Sequence, residues 1–178
     1  MELFCGTDEE ALLVMIPQQL YDVFISFEER SADLYLDLSV RFLDNPELSW
    51  FWVEMAMEEK QHAGMLQYCK ETGMFAHDLP DSEPIQRLAG LFKRLASKAA
   101  EPTLTIDDAF AIAVELEASE INDIYRNLTA HIDGPWHVVR KKIELSEENH
   151  FEHLKKSARQ FGVSSRIIEQ LLKVDVPM

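Results

Sequence analysis

Apolar residues recur at alternating spacings of three and four along most of this chain, the pattern of helices that bury one face. Tyr21, Phe24, Ser31, Tyr35, Leu38 and Phe42 form the first stripe. Pro17 suits the first turn of that helix, and Asp44-Asn45-Pro46 ends it. Glu47 or Ser49 opens a second helix with the stripe Trp52, Met55, Leu66 and Cys69, and Gly73 is its C-terminal stop. Residues 73–104 break the rhythm with Pro80, Pro84 and Pro102, around one short helix, about 84–99, that carries Leu88, Leu91, Phe92 and Leu95. A connection of this length lets the second and third long helices run parallel. Thr105-Ile106-Asp107-Asp108 reads as a helix start with acids in the first turn, and Phe110, Val114, Ile121, Ile124 and Leu128 follow as its stripe. Asp133-Gly134-Pro135 is a turn. The fourth long helix carries Ile143, Leu154, Ser157 and Phe161 and stops at Gly162; Ser164 or Ser165 then caps a final short helix with Ile167, Ile168, Leu171 and Leu172. Residues 1–16 are an acidic-apolar lead-in with no clear element. No stretch alternates apolar and polar, so the expectation is all-α. It is a four-helix bundle with a long crossover holding an extra helix, plus a short C-terminal helix, in one domain over 1–178 with its bundle core at about 17–161.

Composition narrows the class. A chain of 178 residues that is 47% hydrophobic and 28% charged fits one soluble domain with a well-buried core. No uncharged apolar run approaches the roughly 18 residues of a membrane span. Glu2, Asp8, Glu9 and Glu10, without a basic region, do not read as a signal peptide. Cys5 and Cys69 make neither a C-x-x-C pair nor a disulfide framework, which points to a cytoplasmic protein. A net charge of −15 argues against nucleic acid and membrane surfaces as partners.

The four long stripes share one interruption. Glu28 lies in the first, Glu59 and His62 in the second, Glu117 in the third with Glu120 three residues on, and Glu147 and His150 in the fourth. Residues three apart share a helix face, roughly 5–6 Å apart at Cβ, so each Glu-x-x-His pair can grip one ion with a carboxylate and an imidazole. Two such pairs among six histidines are unremarkable by count. Their position is the specific feature, because buried unpaired carboxylates are costly and four apolar stripes each deliver one. Something cationic at the centre resolves the conflict, and oxygen and imidazole ligands suit iron or manganese. Elsewhere, Tyr35 on the Glu28 stripe is either a hydrogen-bond partner of a ligand or a core aromatic. His153 is expected at the bundle surface without a ligand role, and Glu29, Glu58 and Glu148 are expected to face solvent. Cys69 reads as a small buried hydrophobe and Met55, Met57 and Met65 as core filling. His77, His131 and His137 fall in or near loops.

The order Glu, Glu-x-x-His, Glu, Glu-x-x-His along four helices resembles the ligand pattern of ferritin-like di-iron carboxylate bundles. The match is closest to rubrerythrin-like proteins. Glu28-Glu29-Arg30-Ser31-Ala32-Asp33-Leu34-Tyr35 resembles that family's first-helix segment, a Glu with a Tyr seven residues on, and Glu117-x-x-Glu120 resembles its extra third-helix carboxylate. The resemblance covers about residues 17–161. It implies a ferritin-like bundle holding two iron ions, with manganese or a mixed pair as alternatives. Glu59 and Glu147 would then bridge, His62 and His150 would give terminal nitrogens, and Glu28 and Glu117 would be terminal carboxylates. Glu120 would bind in one oxidation state and leave in the other, and Tyr35 would act beside it. The implied activity is reduction of hydrogen peroxide. Rubrerythrins proper also carry a rubredoxin-like module with four cysteines, which Cys5 and Cys69 cannot build, so the implied electron donor is a separate protein such as a rubredoxin. A homodimer or larger homo-oligomer is expected. Two alternatives remain open: an iron-oxidising storage protein and a di-iron oxygenase acting on an organic substrate.

Overall fold

The computed structural model of the chain describes residues 17–73, 82–119 and 137–173. Within them lie α1 (Pro17–Arg41), α2 (Pro46–Thr72), α3 (Ser82–Ala99), α4 (Ile106–Glu117), α5 (His137–Gln160) and α6 (Ser165–Leu171), and no strand occurs among the described residues. The boundaries follow local chemistry. Asn45 both follows the end of α1 and caps α2: its side chain accepts from the Leu48 N–H at 3.3 Å, and Pro46 occupies the first helical position. Gly73 closes α2 with φ 73°, a left-handed conformation that favours glycine. Thr105 and Asp108 form a reciprocal capping box at the start of α4. At the same end the Ser164 N–H donates to Asp107 Oδ1 at 3.0 Å, tying the start of α6 to the first turn of α4.

Cross-helix pairs fix the topology. Asp22 meets Lys70, Asp33 meets Lys60 and Ser49 Oγ donates to the Ser39 carbonyl, so α1 and α2 are antiparallel along their whole length. Gln61 meets Ser146 and Glu58 meets both His150 and His153, so α2 and α5 are antiparallel too. Phe110 packs on Phe51 and Trp52 while Glu117, two turns further along α4, sits beside Glu59, two turns further along α2. These two helices therefore run parallel, as the long connection through α3 requires. The result is an all-α bundle of α1, α2, α4 and α5, with α3 packed against α1 and α4, and α6 against α4 and α5.

The expected stripes are the buried ones. Tyr21, Phe24, Tyr35 and Leu38 of α1, Trp52, Met55, Leu66 and Cys69 of α2, Phe110 and Val114 of α4, and Leu154 of α5 all lie in the core. Aromatic rings fill one end of it: Tyr35 stacks on Trp52 with centroids 5.7 Å apart, and Phe51 and Phe110 stack at 5.4 Å. Each such ring buried contributes about 1.5–3 kcal/mol and fixes the spacing of the helices next to the polar centre. Three details differ from expectation. Met57 is not core filling but 62% exposed, because it lies two residues, about 200° around the helix, from both Met55 and Glu59 and so faces away from the buried stripe. Leu172 is not in the final stripe; it caps α6 and is exposed. The third long helix, expected to carry its stripe to Leu128, is described here as α4 only to Glu117, and Ile121, Ile124 and Leu128 lie outside the described residues. No described helix is long and apolar enough to cross a membrane.

Candidate metal centre

Three helices present carboxylates at mid-bundle, where the surroundings are apolar. Glu28 from α1, Glu59 from α2 and Glu117 from α4 are buried, together with His62 from α2 and His150 from α5. They form two triads that share one member. In each of Glu28–Glu59–His62 and Glu59–Glu117–His150, one ligand-competent atom per residue lies within 4.8 Å of the others. Glu59 turns one oxygen to each histidine: Oε2 is 3.3 Å from His62 Nδ1, and Oε1 is 3.4 Å from His150 Nε2. Glu28 Oε2 stands 3.9 Å from His62 Nδ1, and Glu117 Oε1 stands 2.9 Å from His150 Nε2. The two imidazole centroids are 5.5 Å apart. The i,i+3 spacing on α2 thus does what it should, placing Glu59 and His62 side by side on the inner face.

Without a cation the cluster relieves its charge by holding protons. Burial, and then the neighbouring Glu59, keep the Glu28 carboxyl well above the usual carboxylate range, so it remains an acid that donates to Glu59. Burial also pushes Glu59 up; cationic His150 opposes this and Glu117 adds to it, leaving Glu59 at about 7. Burial alone would lower His150, but Glu117 and Glu59 outweigh it and raise the imidazole well above its ordinary value. Protons therefore sit where divalent ions can sit. The donor set of carboxylate oxygens and imidazole nitrogens fits a hard or borderline divalent ion, and these buried groups can hold metal.

Two outer contacts hold the second triad. The Tyr35 hydroxyl donates to Glu117 Oε1 at 2.7 Å. Burial, with Glu117 next to it, pushes that phenol well above 10, so it stays a donor. Tyr35 is thus both a hydrogen-bond partner of a candidate ligand, Glu117, and a core aromatic, its ring fully buried against Trp52. The other contact corrects the sequence reading. Glu58 does not face solvent. Its carboxylate is two-thirds buried and accepts from His150 Nδ1 at 2.7 Å and from His153 Nδ1 at 2.9 Å. Burial pushes Glu58 up, but these two hydrogen bonds outweigh it and bring the carboxyl down to about 2. His153, expected at the surface, is half-buried with its edge on the Phe51 ring, and its Nε2 lies 3.6 Å from Glu54 Oε2. Sequence reasoning missed this pair. The available signal was that His153 lies three residues after His150, and so beside a ligand on the same helix.

The remaining candidates are placed as follows. Glu120 lies outside the described residues, as do His77 and His131. Glu147 falls on α5 one turn before His150, but its side chain is outside the description. Glu29 and Glu148 are exposed, His137 is the exposed first residue of α5, and Met65 is partly buried against the core. Cys69 is fully buried, and burial pushes its thiol to about 11, so it is an inert core residue. No protein-family model, curated protein or solved structure matches the chain.

Proposed function

We propose that this chain is a di-metal carboxylate protein of the rubrerythrin-like kind, a peroxidase-type oxidoreductase that reduces hydrogen peroxide with electrons from a separate donor. The observation that carries the reading is Glu59, a buried carboxylate with one oxygen turned to each of two histidines in two overlapping triads. A single-ion site needs one such triad; a carboxylate shared between two is the arrangement that serves a pair.

In this reading Glu59 would be shared by the two ions, His62 would offer Nδ1 and His150 Nε2, and Glu28 and Glu117 would each serve one ion. Glu147, one turn before His150, would be a second shared carboxylate, and Glu120 the exchangeable one. Two iron ions held there would supply the two electrons that, with two protons, reduce hydrogen peroxide to two waters, and a separate donor would return those electrons. The protein's share is positional. Tyr35 holds Glu117 Oε1 through its hydroxyl, and Glu58 holds His150 through Nδ1. The apolar wall of Trp52, Phe51 and Phe110 keeps water from that end of the site. Manganese or a mixed pair would fit the same donors. A homo-oligomer and a cytoplasmic setting complete the proposal.

The test has two stages. Protein reconstituted with iron should hold about two ions per chain, and elemental analysis finding one or none removes the di-metal reading. Reduced protein should then be oxidised much faster by hydrogen peroxide than by oxygen in anaerobic stopped flow. Comparable or faster oxidation by oxygen, with mineral accumulating, turns the assignment to iron storage.

A further inference from the structure

The two halves of the centre are built differently. In the Glu59–Glu117–His150 half, two of the three side chains are held by groups outside the triad. Glu58 Oε2 accepts the His150 Nδ1 proton at 2.7 Å, which orients the ring with Nε2 inward, the nitrogen left to an ion once its own proton is given up. Tyr35 fixes Glu117. Glu58 is itself anchored, since its other oxygen accepts from His153 Nδ1 at 2.9 Å, and the His153 ring is wedged edge-on against Phe51 at 5.2 Å. In the Glu28–Glu59–His62 half the inward nitrogen is the other one, Nδ1, and it stands 3.3 and 3.9 Å from its carboxylates. His150 Nε2 is closer to its own pair, at 2.9 and 3.4 Å. His62 Nε2 has the neutral hydroxyl of Ser146 at 3.4 Å.

We infer that Glu58 is the positioning residue of the centre, and that it makes the two metal positions unequal: the Glu59–Glu117–His150 position loads first and more tightly, the Glu28–Glu59–His62 position second. The inference rests on the di-metal reading above and deepens it. An outer carboxylate on the far nitrogen of a ligating histidine fixes the ring and raises its basicity, and its removal typically weakens metal binding about 10–100-fold. That effect reaches only the ion bound to His150. Preorganisation acts the same way, because the more contracted triad has less to reorganise when an ion enters.

The experiment is an anaerobic titration of the metal-free full chain with cobalt(II), followed by calorimetry and by visible absorption. The wild type should show two steps whose affinities differ at least about tenfold. Glu58→Gln keeps the shape and removes the charge; it should weaken the first step about 10–100-fold, leave the second within about threefold, and alter the visible spectrum of the first equivalent. His153→Gln, which removes only the anchor of Glu58, should show a smaller loss on the same step, and it serves if Glu58→Gln folds poorly. A merely structural role would move both steps together. Two indistinguishable steps in the wild type, or equal weakening of both steps in the variants, overturn the inference while leaving a di-metal site. Absence of cobalt binding overturns the inference and the di-metal reading together.

Discussion

Glu59 links the proposed centre to a stability measurement that needs no metal. Its carboxyl ordinarily titrates near 4.5 and is held at about 7 in the folded chain. Below pH 4.5 both folded and unfolded states carry the proton. Between 4.5 and 7 the unfolded state has lost it and the folded state has not, so stability falls as pH rises; above 7 the loss is complete. At about 1.36 kcal/mol per pH unit the interval amounts to about 3 kcal/mol. For a chain of this size that is roughly 6–12 °C in melting temperature. Glu28, also raised, and His150, which keeps its proton past its ordinary value of 6.5, push in the same direction. Glu58 does the reverse: held at about 2, its contribution is full above 4.5 and is lost as pH falls towards 2. Metal-free protein should thus be most stable near pH 4.5–5. The assay is thermal unfolding of chelator-treated protein from pH 4.5 to 8, for wild type, Glu59→Gln and Glu148→Gln. Repulsion from the net charge of −15 contributes to every curve, so the difference in slope isolates Glu59. Glu59→Gln should flatten the wild-type decline by about 3 kcal/mol, and Glu148→Gln, at an exposed position, should not. Metal-loaded wild type should lose the decline, because ligand deprotonation is then coupled to binding. Equal slopes for wild type and Glu59→Gln between pH 4.5 and 7 would refute the reasoning.

Other expectations follow from the same contacts. Glu28→Ala and Glu117→Ala should each reduce bound metal from about two ions per chain to about one, and Glu59→Ala should abolish both; elemental analysis after desalting reads the result. Tyr35→Phe keeps the ring on Trp52 but leaves Glu117 Oε1 without its 2.7 Å donor, and urea unfolding should show a loss of about 1–3 kcal/mol. Trp52→Ala empties the centre of the aromatic cluster and should cost about 3–5 kcal/mol in the same assay. Glu120→Ala should retain both metals yet change the ratio of peroxide to oxygen reactivity in stopped flow; an unchanged ratio would remove Glu120 from the site.

Where one face of a helix is apolar and the other is not, sequence alone places the chain well. Glu28 is read as inward because Phe24, Ser31 and Tyr35 flank it on a stripe that is buried from Tyr21 to Leu38. Glu117 is read as inward because Phe110 and Val114 are. The parallel run of α2 and α4 follows from the length of the connection, whatever its internal structure. The same reasoning weakens on α2, where the inner face carries Glu59 and His62 and the outer face carries Trp50, Met57 and Tyr68, so residue type and orientation disagree. Each of those three lies two residues from a stripe member, about 200° around the helix, and is exposed.

The least legible residues are Glu58 and His153, for a reason that belongs to bundles with polar centres. Periodicity divides a helix into an inner and an outer face. A ligand held by an outer partner needs a third class of position, on the flank, about 100° from the inner stripe, where a side chain can reach a neighbouring helix without entering the core. Glu58 is one residue before Glu59 and so occupies that flank on α2. His153 is three residues past His150 on α5 and meets Glu58 from across the helix interface. Neither signals anything alone, since a carboxylate or imidazole on a flank ordinarily reaches water. Only the antiparallel register of α2 and α5 sets Glu58 between two imidazoles, and that register is set by side-chain packing along both helices. An inner Glu-x-x-His pair is legible because both its members lie on one helix. Its outer support is not, because that support exists only once two helices have met.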